Sequence, residues 1–161
     1  MIYEIYTDGA TSKNGQAGAK GGWAFSINKI QGENKEWIMS GSGGEYNTTN
    51  NRMELTAIIE GLAAIQYLVD DFSSVTIYSD SAYCINCVSQ CWYQSWEANN
   101  WKNSRKEPVK NKDLWEQLIP YFEDARYTFK KVKGHSGIEE NEYVDKLAKE
   151  EVKKIYENNN N

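Results

Sequence analysis

The order of predicted elements indicates an α/β fold in which a mixed sheet is covered by helices. Strand-like runs come first, at residues 2–7, about 22–28 and about 36–41. Helices then alternate with strands, at about 51–69, 74–79, 111–124, 126–132 and 139–156. Three early strands followed by interleaved helices and strands favour a sheet with both antiparallel and parallel neighbours.

Residue patterns support each of these elements in turn. Branched and aromatic residues alternate with polar ones in the first run, and the glycine-rich turn NGQAGAKGG leads into the second. Apolar residues recur at helical spacing in two longer segments, which predicts two amphipathic helices. They are Ile58, Ile59, Leu62, Ile65 and Leu68 in the first, and Val144, Leu147, Ala148, Val152 and Ile155 in the last.

Length and composition predict one domain that needs no disulfide. A chain of 161 residues buries about two thirds of its unfolded surface. We expect the domain to span 1–157 and the tail at 158–161, NNNN, to be disordered. Met1 leads straight into IYEIYT, and no apolar run approaches the roughly 18 residues of a membrane span. These features predict a cytoplasmic protein without a membrane partner.

The charge distribution leaves a nucleic-acid partner open despite a net charge of −5. Segment 101–112, WKNSRKEPVKNK, holds five basic residues and one acidic residue. Segment 126–133 holds four basic residues and no acidic residue. Basic patches of this kind are the usual footprint of contact with phosphates.

Three cysteines, Cys84, Cys87 and Cys91, lie at spacings of three and four and would share one helix face. Structural zinc requires four ligands, whereas the single histidine, His135, is distant in sequence. Buried small hydrophobes in a reducing compartment are therefore the favoured interpretation, with a metal site as the alternative.

Two similar strings, IYTDG at 5–9 and IYSDS at 77–81, each finish a strand-like run with an aspartate. If these strands are neighbours, Asp8 and Asp80 meet at one edge of the sheet. Such a pair can share a proton or hold a divalent cation, and oxygen ligands favour magnesium or manganese. Alternatively, each aspartate caps the element that follows it.

A third carboxylate, Glu54, lies in the string NTTNNRMELTA on the side of its helix that should be buried. An isolated buried carboxylate is costly, so this position favours a metal or charge partner. The alternative is a capping box, with Asn51 as the cap and Glu54 as the third helical residue.

Two further candidates lie within and beyond the string KVKGHSG. Asp145 lies beside the inward-facing Val144 in the last helix, although a surface charge is the usual fate of such a residue. His135 lies in a glycine-flanked loop that can reach over a site, although loop histidines are more often merely solvated.

These motifs together resemble type I ribonuclease H over nearly the whole chain, to about residue 150. The strings TDGA, TTNNRMELTA, IYSDS, PVKNKDLW and VKGHSGIEENEYVDKLA occur in the family's order, with a tryptophan cluster between the third and fourth. The resemblance implies the ribonuclease H fold, with a five-stranded mixed sheet flanked by helices. It also implies an endonuclease that cleaves the RNA strand of RNA/DNA hybrids and leaves 5′-phosphate and 3′-hydroxyl ends. The expected cofactor is Mg²⁺, as two ions with substrate, or Mn²⁺, and we expect a monomer.

The resemblance also assigns roles to individual residues. Asp8, Glu54, Asp80 and Asp145 fall on the family's metal-binding carboxylates, and His135 on a loop histidine that aids proton transfer or product release. Asn14, Asn50 and Asn51 match RNA-contacting asparagines, and Thr49 and Arg52 fall near backbone-binding positions. The basic handle that grips the DNA strand corresponds to Trp92, Trp96, Trp101, Lys102, Arg105, Lys106 and Lys110.

The chain departs from some relatives in two places. Residues 97–100 read EANN where several lysines or arginines occur in those relatives, and Ala82 replaces a glutamine that reaches the substrate. Two other functions stay open at this point. They are a non-catalytic hybrid-binding module and another enzyme on the ribonuclease H fold.

Overall fold

The structure is a computed structural model that describes residues 1–14, 16–132 and 138–159, with side chains through residue 155. Its strands are β1 (Ile2–Ser12), β2 (Lys20–Gln31), β3 (Asn34–Tyr46), β4 (Ser74–Ser79) and β5 (Tyr127–Lys131). Its helices are α1 (Asn50–Leu68), α2 (Ala82–Ser89), α3 (Trp92–Ala98), α4 (Lys112–Phe122) and α5 (Glu139–Asn159).

The strands form one mixed sheet in the order β3-β2-β1-β4-β5. β1 is central, since it pairs antiparallel with β2 and parallel with β4. β2 pairs antiparallel with β3, and β4 pairs parallel with β5. The predicted five-stranded mixed sheet flanked by helices is confirmed.

The first three strands are longer than the sequence predicts, and glycines lie inside them, including two from the predicted turn NGQAGAKGG. Gly21 and Gly22 belong to β2, and Gly44 belongs to β3. A methyl group at Gly44 would lie 2.7 Å from Cδ1 of Ile155 on α5. Gly22 and Gly44 therefore let the strands continue beneath α5, where a side chain would collide.

Two hydrophobic clusters occupy opposite faces of the sheet. The larger one joins Ile5 and Phe25 of the sheet to Leu62 of α1 and Trp115 of α4. The smaller cluster consists of Tyr6, Ala24, Val132, Val144 and Ala148. Since Ile5 and Tyr6 point to opposite faces, α1 and α5 cover the two sides of β1.

The cysteines separate in the structure. Cys84 and Cys87 are buried in the larger cluster, as the preferred interpretation predicts, whereas Cys91 is exposed just beyond α2. Burial raises the pKa of the Cys87 thiol to about 12. Within the described residues, no group of candidate metal ligands includes a cysteine.

The last helix extends through Asn159 and so includes two residues of the expected disordered tail. Residues 160 and 161 lie outside the described part of the chain. Among the described residues, no helix is both long enough and apolar enough to cross a membrane.

Gly9 permits close contact between the central strand and α1. A methyl group on Gly9 would lie 2.6 Å from the backbone nitrogen of Glu54 and 2.7 Å from the carbonyl carbon of Met53. Both neighbours are backbone atoms, so neither can rotate away. The absence of a side chain at Gly9 therefore fixes how near α1 approaches β1.

We predict that Gly9→Ala lowers the free energy of unfolding by about 1–3 kcal/mol, because the added methyl group forces α1 away from β1. Urea denaturation followed by circular dichroism measures this change. An unchanged midpoint would mean that α1 can shift without cost.

Candidate active site

The parallel pairing of β1 and β4 stops just below two aspartates. Its last pair is Tyr6 and Tyr78, whose rings stack with centroids 4.6 Å apart. Asp8 and Asp80 follow these tyrosines by two residues, so they lie where the strands diverge. Asp80 comes directly after β4, as predicted, whereas Asp8 lies within β1 and still pairs with Ala24.

The capping alternatives are wrong for all three carboxylates. Helix α1 is capped by Thr49, whose side chain accepts a hydrogen bond from the nitrogen of Arg52. Since Asn50 is the first helical residue, Glu54 is the fifth and cannot complete a capping box. In the same way, Ser81 rather than Asp80 caps α2, and Asp8 lies within a strand.

Three carboxylates converge at this point. Asp8, Glu54 and Asp80 each offer an oxygen, and these oxygens lie within 4.8 Å of one another. Asp8 Oδ1 accepts a hydrogen bond from the nitrogen of Gly9 at 2.9 Å. Glu54 Oε2 and Asp80 Oδ1 are buried and have no hydrogen-bond partner among the described residues. The cluster therefore has buried acceptors that a proton or a cation would satisfy.

Burial and mutual repulsion favour protonation of this cluster. The pKa of Asp8 is raised to about 8, first by burial and then by the charge of Asp80. The pKa of Glu54 is raised well above its ordinary value by burial, then by the charges of Asp8 and Asp80. Without a cation, the site therefore holds protons near neutral pH.

The fourth predicted carboxylate, Asp145, lies beside Asp8 and adds to the rise in its pKa. Asp145 does not belong to the group of three residues whose carboxylate oxygens lie within 4.8 Å of one another. Instead its Oδ2 lies 2.9 Å from the ammonium of Lys149, one helical turn further along α5. The structure thus brings all four carboxylates to one place, with Asp145 at the margin.

The donor set fits a hard divalent cation. All the candidate ligand atoms are carboxylate oxygens, which suit magnesium and manganese rather than zinc. A divalent cation would meet the two unpartnered oxygens of Glu54 and Asp80 and would relieve the repulsion that raises the pKa of Asp8.

The predicted RNA-contacting asparagines surround the first turn of α1. Asn14 Oδ1 accepts a hydrogen bond from the backbone nitrogen of Asn50 at 2.9 Å, and the hydroxyl of Thr11 donates to Asn50 Oδ1. Asn14, Asn50 and Asn51 are exposed, and Thr49 is half-buried. Asn14 therefore ties the loop after β1 to the helix that carries Glu54.

Arg52 is held by partners that the sequence analysis missed. Its two terminal nitrogens lie 3.0 and 2.9 Å from the two carboxylate oxygens of Asp113. Asn111 Oδ1 accepts a third hydrogen bond at 3.2 Å and Asn111 Nδ2 donates to the hydroxyl of Tyr83. The string PVKNKDLW contains both partners, but only the fold brings them to Arg52.

The three tryptophans of the expected handle pack against the larger cluster and are half-buried. Ring centroids lie 6.5 Å apart for Trp92 and Trp96 and 6.0 Å for Trp96 and Trp101. Trp96 also lies 5.5 Å from the fully buried Trp115 of α4. These rings therefore connect the handle segment to the core.

The charged part of the handle is exposed. Lys102, Arg105, Lys106 and Lys110 all face solvent, as do the uncharged or acidic residues 97–100 and Ala82 at the start of α2. His135 lies outside the described residues, so its predicted position over the site stays a prediction.

Comparison with known proteins agrees with this geometry. The family model described as RNase H matches residues 2–153. This chain belongs to the ribonuclease H family. A protein named Ribonuclease H from Caldanaerobacter subterraneus subsp. tengcongensis is 46% identical over 158 residues, covering 98% of this chain and 95% of its own. One from Syntrophomonas wolfei is 45% identical over 151 residues, covering 94% and 96%.

Solved structures of ribonucleases H share the fold. LC9-RNase H1, described as a type 1 RNase H with the type 2 active-site motif, matches with a TM-score of 0.80 and 25% identity. The match covers 95% of this chain and 72% of that one. LC11-RNase H1, solved in complex with an RNA/DNA hybrid, matches with a TM-score of 0.65 at 23% identity, covering 96% and 99%. The predicted family is confirmed, and its members are metal-dependent ribonucleases.

We predict that the stability of this ribonuclease H without metal falls as pH rises from about 5 to 8. Within that window, folded Asp8, with a pKa near 8, keeps a proton that the unfolded chain, with an ordinary pKa of 3.8, has released. The folded state thus binds more protons, so its advantage is lost as pH rises through the folded pKa. Urea denaturation in chelator at several pH values measures the slope. Asp8→Asn should flatten it, and an equal slope in that variant would contradict the assignment.

A second prediction concerns Glu54→Gln, which keeps the size of the side chain and removes its charge. Because repulsion with Asp8 and Asp80 is relieved, the metal-free variant should be as stable as the parent or more so. The variant should still bind the hybrid but should not cleave it in magnesium. Added magnesium should raise its melting temperature by less than it raises that of the parent. A thermal melt and a cleavage assay check these outcomes, and normal cleavage would exclude Glu54 from the metal site.

Proposed function

We propose that this protein is a magnesium-dependent endonuclease that hydrolyses the RNA strand of RNA/DNA hybrids, leaving 5′-phosphate and 3′-hydroxyl ends. The observation that carries the proposal is the convergence of three carboxylates on the edge of the sheet, with Asp8 and Glu54 buried, Asp80 half-buried, and an unpartnered buried oxygen on Glu54 and on Asp80. Membership in the ribonuclease H family supports the same reaction.

Asp8, Glu54, Asp80 and Asp145 are the residues that would hold the metal. Two bound Mg²⁺ ions, or Mn²⁺ ions, supply activation of a water and stabilisation of the leaving oxygen in an in-line displacement. The chain's own contribution is placement. β1, β4 and α1 present three of these carboxylates from rigid packed elements, and α5 presents the fourth. Such support keeps the ligands in position before substrate arrives.

Asn14, Asn50 and Asn51 are proposed to contact the RNA strand. Asn14 Oδ1 is occupied by the backbone nitrogen of Asn50, so the Nδ2 amide of Asn14 is left to donate to substrate. The 2′-hydroxyls of RNA are acceptors that DNA lacks. Thr49 and Arg52 are proposed to lie near the substrate backbone. Because the guanidinium of Arg52 is bound by Asp113, Arg52 would hold the substrate-facing surface in place rather than bind a phosphate itself.

The DNA strand is proposed to lie along the handle, the segment from Trp92 to Lys110. Its exposed cations, Lys102, Arg105, Lys106 and Lys110, would neutralise phosphates. The half-buried tryptophans Trp92, Trp96 and Trp101 would offer ring edges to the strand while holding the segment on the core.

Three further assignments complete the proposal. His135 would take part in proton transfer or product release, because an imidazole can gain or lose a proton near neutral pH. The enzyme would act as a monomer, since one chain supplies all four carboxylates. A cytoplasmic location is consistent with the free thiols of Cys84, Cys87 and Cys91.

We predict that Asp80→Asn lowers cleavage of a labelled RNA/DNA hybrid in magnesium by at least about a thousandfold, because a metal ligand is lost. Binding to the hybrid should persist, since the asparagines and the handle are unchanged. Gel assays with the hybrid, and with duplex RNA and duplex DNA as controls, measure both quantities.

Asp71→Asn is the matched control, because Asp71 is exposed and precedes β4 whereas Asp80 follows it. This variant should cleave as the parent does. Near-normal turnover in Asp80→Asn would refute the metal assignment, and cleavage of duplex DNA by the parent would refute the substrate class.

A further inference from the structure

The ion pair between Asp145 and Lys149 adjoins the carboxylate cluster. Asp145 Oδ2 and Lys149 Nζ are 2.9 Å apart, and their side chains are 29% and 60% exposed. Asp145 is a neighbour of Asp8, yet its oxygens are not among the three that converge within 4.8 Å. Asp145 thus lies between its hydrogen-bonded neighbour Asp8 and the ammonium group of Lys149.

The arrangement follows from the spacing of the two residues on α5. A carboxylate one turn before a lysine on an exposed helix face is the favourable orientation for such a pair. A lysine side chain carries a positive charge at neutral pH, so the pair sets an ammonium group against the Asp145 carboxylate. Lys149 therefore places a positive charge at the rim of a site that contains four carboxylates.

An ammonium and a metal ion compete for the same carboxylate. A dication on Asp145 would meet the repulsion of Lys149 a few ångströms away unless the lysine swings out into solvent. Since the lysine side chain is 60% exposed, it has room to do so. We propose that Lys149 is a built-in counter-ion, which holds Asp145 in the metal-free enzyme and releases it when metal enters. This inference rests on the proposed function, in which Asp145 is a metal ligand.

The proposal has two consequences of opposite sign. Without Lys149, the carboxylates lose a partner, so the metal-free protein should melt about 1–2 °C lower. Magnesium would no longer compete with an ammonium group for Asp145, so the affinity of the variant for magnesium should rise by about threefold to tenfold. A purely structural ion pair would give the first effect without the second.

α5 supplies a matched control in a second ion pair. Lys154 Nζ lies 3.2 Å from Glu151 Oε1, and the lysine side chain is 63% exposed, close to the value for Lys149. Glu151 also accepts a hydrogen bond from Ser42, away from the carboxylate cluster. Lys154→Met thus removes the same charge and a similar pair from the same helix.

The experiment compares full-length parent, Lys149→Met, Lys149→Arg and Lys154→Met by thermal melts over a magnesium chloride titration without nucleic acid. Lys149→Met should reach half of its magnesium-induced rise in Tm at a concentration about threefold to tenfold lower than the parent. Lys149→Arg, which keeps the charge, and Lys154→Met should match the parent. In an Asp145→Asn background, Lys149→Met should no longer change the magnesium midpoint.

The remaining outcomes refute different statements. Equal midpoints for Lys149→Met and Lys154→Met overturn the counter-ion role and leave the proposed function intact. No stabilisation of the parent by magnesium overturns the metal site itself and this inference with it. A shift in Lys149→Met that persists with Asp145→Asn overturns the competition at Asp145.

Discussion

Electrostatic repulsion between closely spaced carboxylates is the constraint on which this active site depends. Asp8, Glu54 and Asp80 come from three elements, and each element is fixed by its own packing. The central strand cannot move because it is paired on both sides, and α1 contacts it at Gly9 with no space for a methyl group. The carboxylates therefore cannot separate, and only protons or cations relieve their repulsion. Because the fold holds these carboxylates close together, the site binds protons or cations.

Much of the fold was predictable because it depends on local patterns. The first strand and the long helices follow from period-two and helical periodicity, and the paired strings IYTDG and IYSDS predicted that two aspartates meet. Strand lengths were not predictable from the same patterns. Gly21 and Gly22 have the composition of a turn, yet they extend β2, because Met53 of α1 packs closely over Gly21 and Ala148 of α5 over Gly22. Whether a glycine ends a strand or continues it depends on contacts that are distant in sequence.

The site shows the same division between local and distant causes. Both Thr49 and Asn51 are good capping residues, so the sequence could not decide where α1 begins or whether Glu54 belongs to a capping box. The structure decides it through Thr49, whose side chain accepts a hydrogen bond from the nitrogen of Arg52, while Asn14 binds the nitrogen of Asn50 from another loop. Asp113 is a similar case, because its contact with Arg52 joins helices that are distant in sequence. The pair of Asp145 and Lys149, in contrast, was present in the sequence as a spacing of four.

The tryptophan cluster has a consequence for the optical properties of the protein. The chain contains six tryptophans, and Trp92, Trp96, Trp101 and Trp115 form one connected series of rings. Indole emission from these residues depends on how dry and how closely packed their surroundings are. Four of the six indole rings therefore lie where the handle meets the core and not at the carboxylates. A change in the emission wavelength therefore indicates a change in how closely the handle packs against the core.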